Sequence, residues 1–349
     1  MALTDYLLFP KGQQMRTLKS TFLHFTLVGL TATALPISAQ AQTDTLLNAS
    51  YDIARELFAE YNPLFEAQWQ QENGTTLNVE QSHAGTSRQA QAILQGLKAD
   101  VVTFNQVTDI DALAKRGFVA TDWQEKFPNN ASPYYSTIAF LVRKDNPKNI
   151  HNWDDLIRED VKVVFPNPKT SGNARYSYLG AWLYANEKFN GDEQQTQDFV
   201  QKLLHNVENF PTGGRGATVA FANNNQGDAL LTFESEVVNI ANSDEFKKHE
   251  FEIIVPPVSV LAEFPVAVVE KVTDSQKSGV EAKAYLDYLY ATPAQELLSQ
   301  YNYRVHDETV KSHLPDVRLL NPTEIIGNWD QIQDTHFASG GVLDQLLIK

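Results

Sequence analysis

Two features of the chain predict an α/β protein of two lobes with a ligand cleft between them. The first is a regular alternation of short apolar strands with helix-forming stretches, the pattern of sheets flanked by helices. The second is a pair of proline-rich breaks, Pro128-Asn129-Asn130 with Pro133, and Pro256-Pro257. Taken in order, Leu46-Leu47-Asn48-Ala49-Ser50 reads as a strand and 55–71 as an amphipathic helix. Strands at 76–81 and 100–104 are each followed by a helix, at 88–97 and 107–116. After the first break, 136–143 is a strongly apolar strand, 162–165 another, and 174–184 a helix. Further strands fall at 207–210, 229–233 and 251–255, and the second break precedes an apolar run at 258–269. The alternation argues for parallel sheets. A chain that leaves one lobe at the first break and returns at the second gives a discontinuous first lobe, 42–132 with 258–305, and a second at 133–257. Residues 306–349 are expected to pack as a helical tail with no assigned role. Ligands of open α/β sheets sit at the carboxyl ends of strands, so two such edges face to face would form the cleft.

Composition narrows the class. The chain has 349 residues, 42% hydrophobic and 20% charged, and suits two lobes of an ordinary folded protein. It has no cysteine, which excludes disulfides, thiolate metal sites and a cysteine nucleophile. The first 41 residues differ from the rest. Arg16 and Lys19 form a positive start, 22–37 an apolar stretch, and Ala39-Gln40-Ala41 a small-x-small cleavage pattern. These residues read as a signal peptide cut after Ala41, with Met15 as the true start, in preference to an uncleaved anchor. The apolar run is shorter than the ~20 residues of a membrane span. The mature protein is therefore expected to be exported and soluble, in a bacterial periplasm. Residues 1–41 hold three basic and one acidic side chain, so the remainder keeps 25 basic and 42 acidic groups, a net charge of −17. Nucleic acid and anionic membranes are poor partners for that field. An anion would have to be held by local geometry.

Three strand-to-helix junctions have that geometry: Ser82-His83-Ala84-Gly85-Thr86-Ser87-Arg88-Gln89, Pro166 to Tyr176 (PNPKTSGNARY), and Pro211-Thr212-Gly213-Gly214-Arg215-Gly216-Ala217-Thr218. Each is built of small residues leading into a helix. Unpaired N–H groups and the positive end of the helix dipole make such a start an anion site, although Ser, Thr or Gly there is also the ordinary N-cap. Arg88, Lys169 and Arg175 read equally as surface charges or carboxylate partners, Arg215 as structural or behind the ligand, and His83 as a hydrogen-bonded loop residue. Catalytic readings fail on spacing. The first junction lacks the G-x-S-x-G frame, and the third lacks both the P-loop ending and the dinucleotide spacing. The histidines show no metal spacing, and Asp100, Asp109 and Asp111 sit where Asp commonly starts strands and helices. Glu234 and Glu236 form a possible acid/base pair with nothing beside it to support a hydrolase.

The segments LLNASYDIARELF, QSHAGTSRQA, LKADVVTFNQVTD, FLVRKDNPKNIHNWDDL, PNPKTSGNARY, TGGRGAT, LLTFESEV and VLAEFPVAVVEK carry a resemblance. Over Leu46 to about Leu347 the chain resembles the periplasmic sulfate/thiosulfate-binding proteins of bacterial ABC importers. The resemblance implies a type II two-lobed solute-binding fold and a dehydrated dianion held in the cleft by neutral donors. By position, Asp52 and Thr86 would contribute from the first lobe, and Ser171, Gly172, Asn173, Gly214 and Phe233 from the second, with Arg215 behind them. It further implies a monomer, neither enzyme nor cofactor- or metal-dependent, that delivers its anion to a membrane permease for sulfur assimilation. Three positions depart from the sulfate-binding pattern: Thr86 for Ser, TSGN for SSGG at Thr170 to Asn173, and Phe233 for a Trp. The last two, with SHAG, TGGRGAT, FESEV and AEFPVA, resemble the thiosulfate-binding branch. A strict sulfate binder is the alternative, and a secreted anion-ester hydrolase a more distant one. Phe233 has no donor to offer, which suits a soft terminal sulfur that accepts hydrogen bonds poorly. A site made of donors also disfavours phosphate, which keeps a proton near neutral pH and needs an acceptor.

Overall fold

The computed structural model describes residues 44–348; the signal-peptide reading of residues 1–41 lies outside them. Two sheets organise the chain. The first has the order β12-β3-β1-β2, with β1 at Asp44–Tyr51, β2 at Leu77–Ala84, β3 at Val101–Thr103 and β12 at Val266–Val268. Helix α1 (Arg55–Asn73) follows β1, α2 (Thr86–Leu94) follows β2, and α3 (Val107–Ala114) follows β3. In α1 the buried residues Leu57, Phe58, Tyr61, Phe65 and Trp69 recur at helical spacing, which lays one apolar stripe on the core. Gly74 ends this helix at φ 69°, donating its N–H to Gln70 O, a left-handed cap that glycine adopts without a Cβ clash.

The second sheet has the order β7-β6-β8-β5-β9. Its strands are β5 (Ile138–Val142), β6 (Val163–Val164), β7 (Val207–Asn209), β8 (Ala229–Phe233) and β9 (Glu252–Ile254). Every residue of β5 and β8 is buried, as expected for inner strands covered on both faces. The helix Gly172–Lys188 is buried along most of its length, and Glu193–His205 packs on it. Between the sheets lies a three-stranded ribbon, β11-β4-β13, made of Ala262–Phe264, Tyr134–Ser136 and Arg304–Val305. Three hydroxyls meet beside it: Tyr51 Oη donates to Tyr303 Oη at 2.9 Å and lies 3.2 Å from Tyr134 Oη.

The sequence reading needs four corrections. The apolar stretch 136–143 is two strands in different sheets, β4 and β5, turning at Thr137, whose hydroxyl donates to Val260 O at 2.7 Å. The sheets are mixed rather than purely parallel. β1 runs parallel to β2 and β3, and β6 to β7 and β8, but β12 is antiparallel to β3 and β5 to β8. Both antiparallel strands follow a ribbon strand directly, so they enter their sheets without a helical crossover and run the other way. The helix Glu193–His205 escaped notice although its buried Thr196, Phe199, Val200, Leu203 and Leu204 follow helical spacing. Residues 306–349, expected as a helical tail, also hold a strand, Arg318–Leu320, parallel to Val258–Val260, besides the short helices Pro322–Ile325, Trp329–Ile332 and Val342–Leu346. They pack on both halves: Trp329 is edge-on to Tyr176 at 5.9 Å and Lys169 Nζ lies 2.8 Å from Asp344 Oδ1, while Trp329–Ile332 also touches α3 and Asp330 pairs with Lys115. Among the described residues no helix is long and apolar enough to cross a membrane.

Candidate functional site

The three junctions singled out in the sequence come together. A Cβ placed on Gly85 would lie 2.7 Å from the Thr170 carbonyl oxygen and 3.6 Å from that of Thr212. The Thr170 hydroxyl donates to Thr212 O at 2.9 Å. Gly85 follows β2 of the first sheet; Thr170 and Thr212 follow β6 and β7 of the second. The carboxyl ends of both sheets therefore meet at this point, and only glycine fits at Gly85.

A chain of contacts joins the expected residues. Asp52 opens a short 3₁₀ turn after β1, and its Oδ2 accepts the main-chain N–H of Arg215 at 3.2 Å. A Cβ on Gly213 would fall 2.4 Å from that carboxylate oxygen, and one on Gly214 would fall 3.6 Å from Asn173 Nδ2. Asn173 Nδ2 in turn donates to Thr232 Oγ1 at 2.7 Å. A Cβ on Gly172 would lie 2.2 Å from Asn105 Oδ1 and 2.8 Å from Gln106 Cβ. Asn105 Oδ1 lies 3.1 Å from Thr86 Oγ1. Asp52, Gly214, Asn173, Gly172 and Thr86 are thus linked through at most one intervening residue. Phe233 follows Thr232 directly, and its ring packs among aromatics, 4.9 Å from Phe264 and 6.1 Å from Tyr176.

Ser171 is the N-cap of the Gly172–Lys188 helix, in extended conformation, yet its side chain makes no cap hydrogen bond. Gly85 and Gly213, the N-caps of the helices on the other two junctions, have no side chain to cap with. The first N–H groups of these helices have no intrahelical partner. At the third start Asp52 already takes the Arg215 N–H, so the starts at Thr86 and Gly172, with Gly214 beside them, are what bring main-chain donors together here, the geometry that suits an anion.

The charges nearby are already committed. Arg175 is buried; it donates to Pro168 O at 3.1 Å and Thr108 Oγ1 at 2.6 Å and pairs with Asp109 at 3.4 Å. Asp109 also accepts from Thr86 Oγ1 at 2.6 Å and Ser87 Oγ at 2.8 Å. The Thr86 hydroxyl is therefore spent, and what this residue has to offer a ligand is its main-chain N–H. Arg215 pairs with Glu56 at 3.0 Å, Lys169 is held by the tail, and Arg88 is exposed. His83 Nδ1 lies 3.1 Å from Tyr51 O, and burial lowers its pKa. Burial raises the pKa of Asp52, opposed by the Arg215 N–H. No cluster of metal-ligating side chains occurs among the described residues. A separate cavity of about 310 Å³, lined in part by Arg215, Thr218, Glu236 and Tyr301, touches none of Thr86, Ser171, Gly172 or Asn173.

Sequence reasoning passed over four residues here: Asn105, Gln106, Asp109 and Thr232. Asp109 was set aside as an ordinary helix-start residue, whereas it anchors Thr86, Ser87 and Arg175 together. Asn105 and Gln106 sit in the strand-to-helix junction after β3, which lacks a glycine. Its position at a strand's carboxyl end was the available signal.

Two lobes whose strand ends meet over unpaired helix starts define a solute-binding protein. The chain belongs to the bacterial extracellular solute-binding proteins, whose family model matches residues 47–304. It is 51% identical over 320 residues to the thiosulfate-binding protein of Escherichia coli K12, a match covering 90% of this chain and 94% of that one. It is 44% identical to the sulfate-binding protein of the same organism, covering 91% and 98%. Among solved structures, the sulfate-binding protein SubI from Mycobacterium tuberculosis H37Rv superposes with a TM-score of 0.75 at 28% identity, covering 84% of this chain and 99% of that one. These relatives are binding proteins, not enzymes.

Proposed function

We propose that this protein captures thiosulfate, and also sulfate, in the cleft between its lobes and delivers it to an ABC importer. In this reading the lobes are 42–132 with 258–305 and 133–257, and the protein works in the periplasm after losing residues 1–41. Asp52, Thr86, Gly172, Asn173 and Gly214 bind through main-chain N–H groups, and Ser171 through its hydroxyl. Phe233 abuts the terminal sulfur, and Arg215 steadies Asp52 from behind. The observation that supports it most is the start of the Gly172–Lys188 helix, where Ser171 is placed to cap and does not. Charge-assisted hydrogen bonds to a dianion give about 1.5–3 kcal/mol each, so a few unclaimed N–H groups hold an ion that the overall charge repels. The thiosulfate preference draws support from Phe233, which presents no hydrogen-bond donor, and from the relative named thiosulfate-binding protein.

Calorimetry of the mature chain against thiosulfate, sulfate, molybdate and phosphate tests this. Thiosulfate is expected to bind tightest, sulfate measurably and phosphate weakly. Phosphate binding as strong as sulfate binding would refute a site made only of donors, and turnover of a chromogenic sulfate or phosphate ester would refute a pure binder.

A further inference from the structure

Among the described residues, seven buried side-chain polar atoms have no hydrogen-bond partner, and three of them belong to Gln106 and Asn173. Both atoms of the Gln106 carboxamide are unmet, on a residue with 0% exposure; Asn173, 1% exposed, leaves its Oδ1 unmet. The two residues flank Gly172 from opposite sheets. Gln106 precedes α3 of the first lobe and does not cap it, and its Cβ lies against Gly172. Asn173 is the next residue of the helix that Gly172 begins. Buried carboxamides are ordinarily paired, so two underused ones on either side of a helix start indicate that a further group is met there.

We infer that Gln106 contacts the ligand: its Nε2 donates to an oxygen of the bound dianion, and the carboxamide of Asn173 donates from the opposite lobe. The pair supplies neutral donors to a proton-free oxyanion and makes the grip depend on both lobes being together. Asn173 can serve because its present partner, Thr232, carries a hydroxyl that donates as readily as it accepts. With the amide turned over, Thr232 meets the oxygen and Nδ2 is released to the ligand. The inference rests on the reading that this cleft holds an oxyanion, and it adds a residue outside the three glycine-bearing junctions.

The test compares the mature wild type with Gln106→Leu and Gln106→Glu by calorimetry with thiosulfate and sulfate, and by thermal melts without ligand. Gln106→Leu is expected to weaken thiosulfate binding by about tenfold or more, the loss of one hydrogen bond to a charged group. Its unliganded melting temperature should stay the same or rise, because an unpaired amide has been replaced by an apolar group of similar size. Gln106→Glu is expected to weaken binding by about a hundredfold or more. If the wild type binds thiosulfate and both variants bind within twofold of it, the role of Gln106 is overturned and the thiosulfate reading stands. If Gln106→Leu loses binding together with a lower unliganded melting temperature, Gln106 is structural and the inference fails. A wild type that binds neither anion overturns the reading and the inference with it.

Discussion

Two neighbouring helices of the second lobe begin in opposite ways. Glu193–His205 starts at Asp192, whose carboxylate accepts the Gln195 N–H at 2.9 Å on an exposed surface. Gly172–Lys188 starts at Ser171, buried, with no bond from its hydroxyl to the helix. The first start closes its donors with its own acid, and a cap of that kind contributes about 1 kcal/mol. The second forgoes the cap and keeps its N–H groups for something else. The choice of residue matters as much as the geometry. A carboxylate at position 171 would suit the helix dipole and drive off a dianion, whereas Ser, Gly and Asn do neither. Lack of a side-chain cap is not peculiar to the cleft, since the helices that start after Ala54, Ser278 and Ala291 also lack one; what sets Ser171 apart is a buried hydroxyl that could cap and does not.

The largest effect should come from erasing the difference. Ser171→Asp is expected to cap its helix and to weaken thiosulfate binding at least a hundredfold, since unit charges about 4 Å apart repel by roughly 4 kcal/mol near a protein surface. Calorimetry reads the loss, and a melt without ligand should show no destabilisation. Phe233→Trp comes next. An indole N–H in place of a ring without a donor should move the thiosulfate-to-sulfate preference toward sulfate by about tenfold, from one hydrogen bond to a charged group. An unchanged ratio would remove Phe233 from the site. Asp192→Ala, the control at the capped start, should lower stability in urea by about 1 kcal/mol and leave both affinities where they were.

The smallest effect is a pH dependence. Burial, and after it the charge of Asp52, pushes Glu236 up to about 8, while the Thr218 hydroxyl at 3.2 Å opposes the shift. Thr218 Oγ1 also reaches Gly214 O at 3.3 Å, so Glu236 sits close behind the third helix start. A carboxyl with a raised folded pKa is neutral at pH 7 and ionises as pH rises through 8. Its contribution to stability is full below about 4.5, the ordinary glutamate value, falls as pH rises from there and is gone above about 8, and the negative charge that appears near 8 weakens anion binding. Thiosulfate affinity should fall a fewfold between pH 7 and 9 in the wild type and stay flat in Glu236→Gln.

Much of this was legible in the sequence. Strand-helix alternation marked out the fold class, and three glycine-bearing junctions marked the loops that meet. What escaped depends on distance rather than pattern. The turn at Thr137 is invisible inside an apolar run, because a strand that changes sheets keeps the same hydrophobicity. Arg175 reads equally as a surface charge or a carboxylate partner, and only the folded chain shows it buried with its partner Asp109, far away in the chain, at 3.4 Å. Asn105 and Gln106 lack the glycine signature because their part is played by side chains, and a carboxamide in a loop carries no sequence signal. Phe233 was singled out by resemblance, and its packing against Phe264 and Tyr176 is a feature only the folded chain displays.

The account turns on whether the uncapped helix starts hold the ion. A thiosulfate titration of the ¹⁵N-labelled mature protein, followed through its main-chain amide resonances, asks this directly. Gly172, Asn173, Gly214 and Thr86 should show large shifts that saturate together, while Gln195, whose N–H is already held by Asp192, should not move. Saturable binding that leaves Gly172 and Asn173 unshifted would contradict the account and place the anion elsewhere.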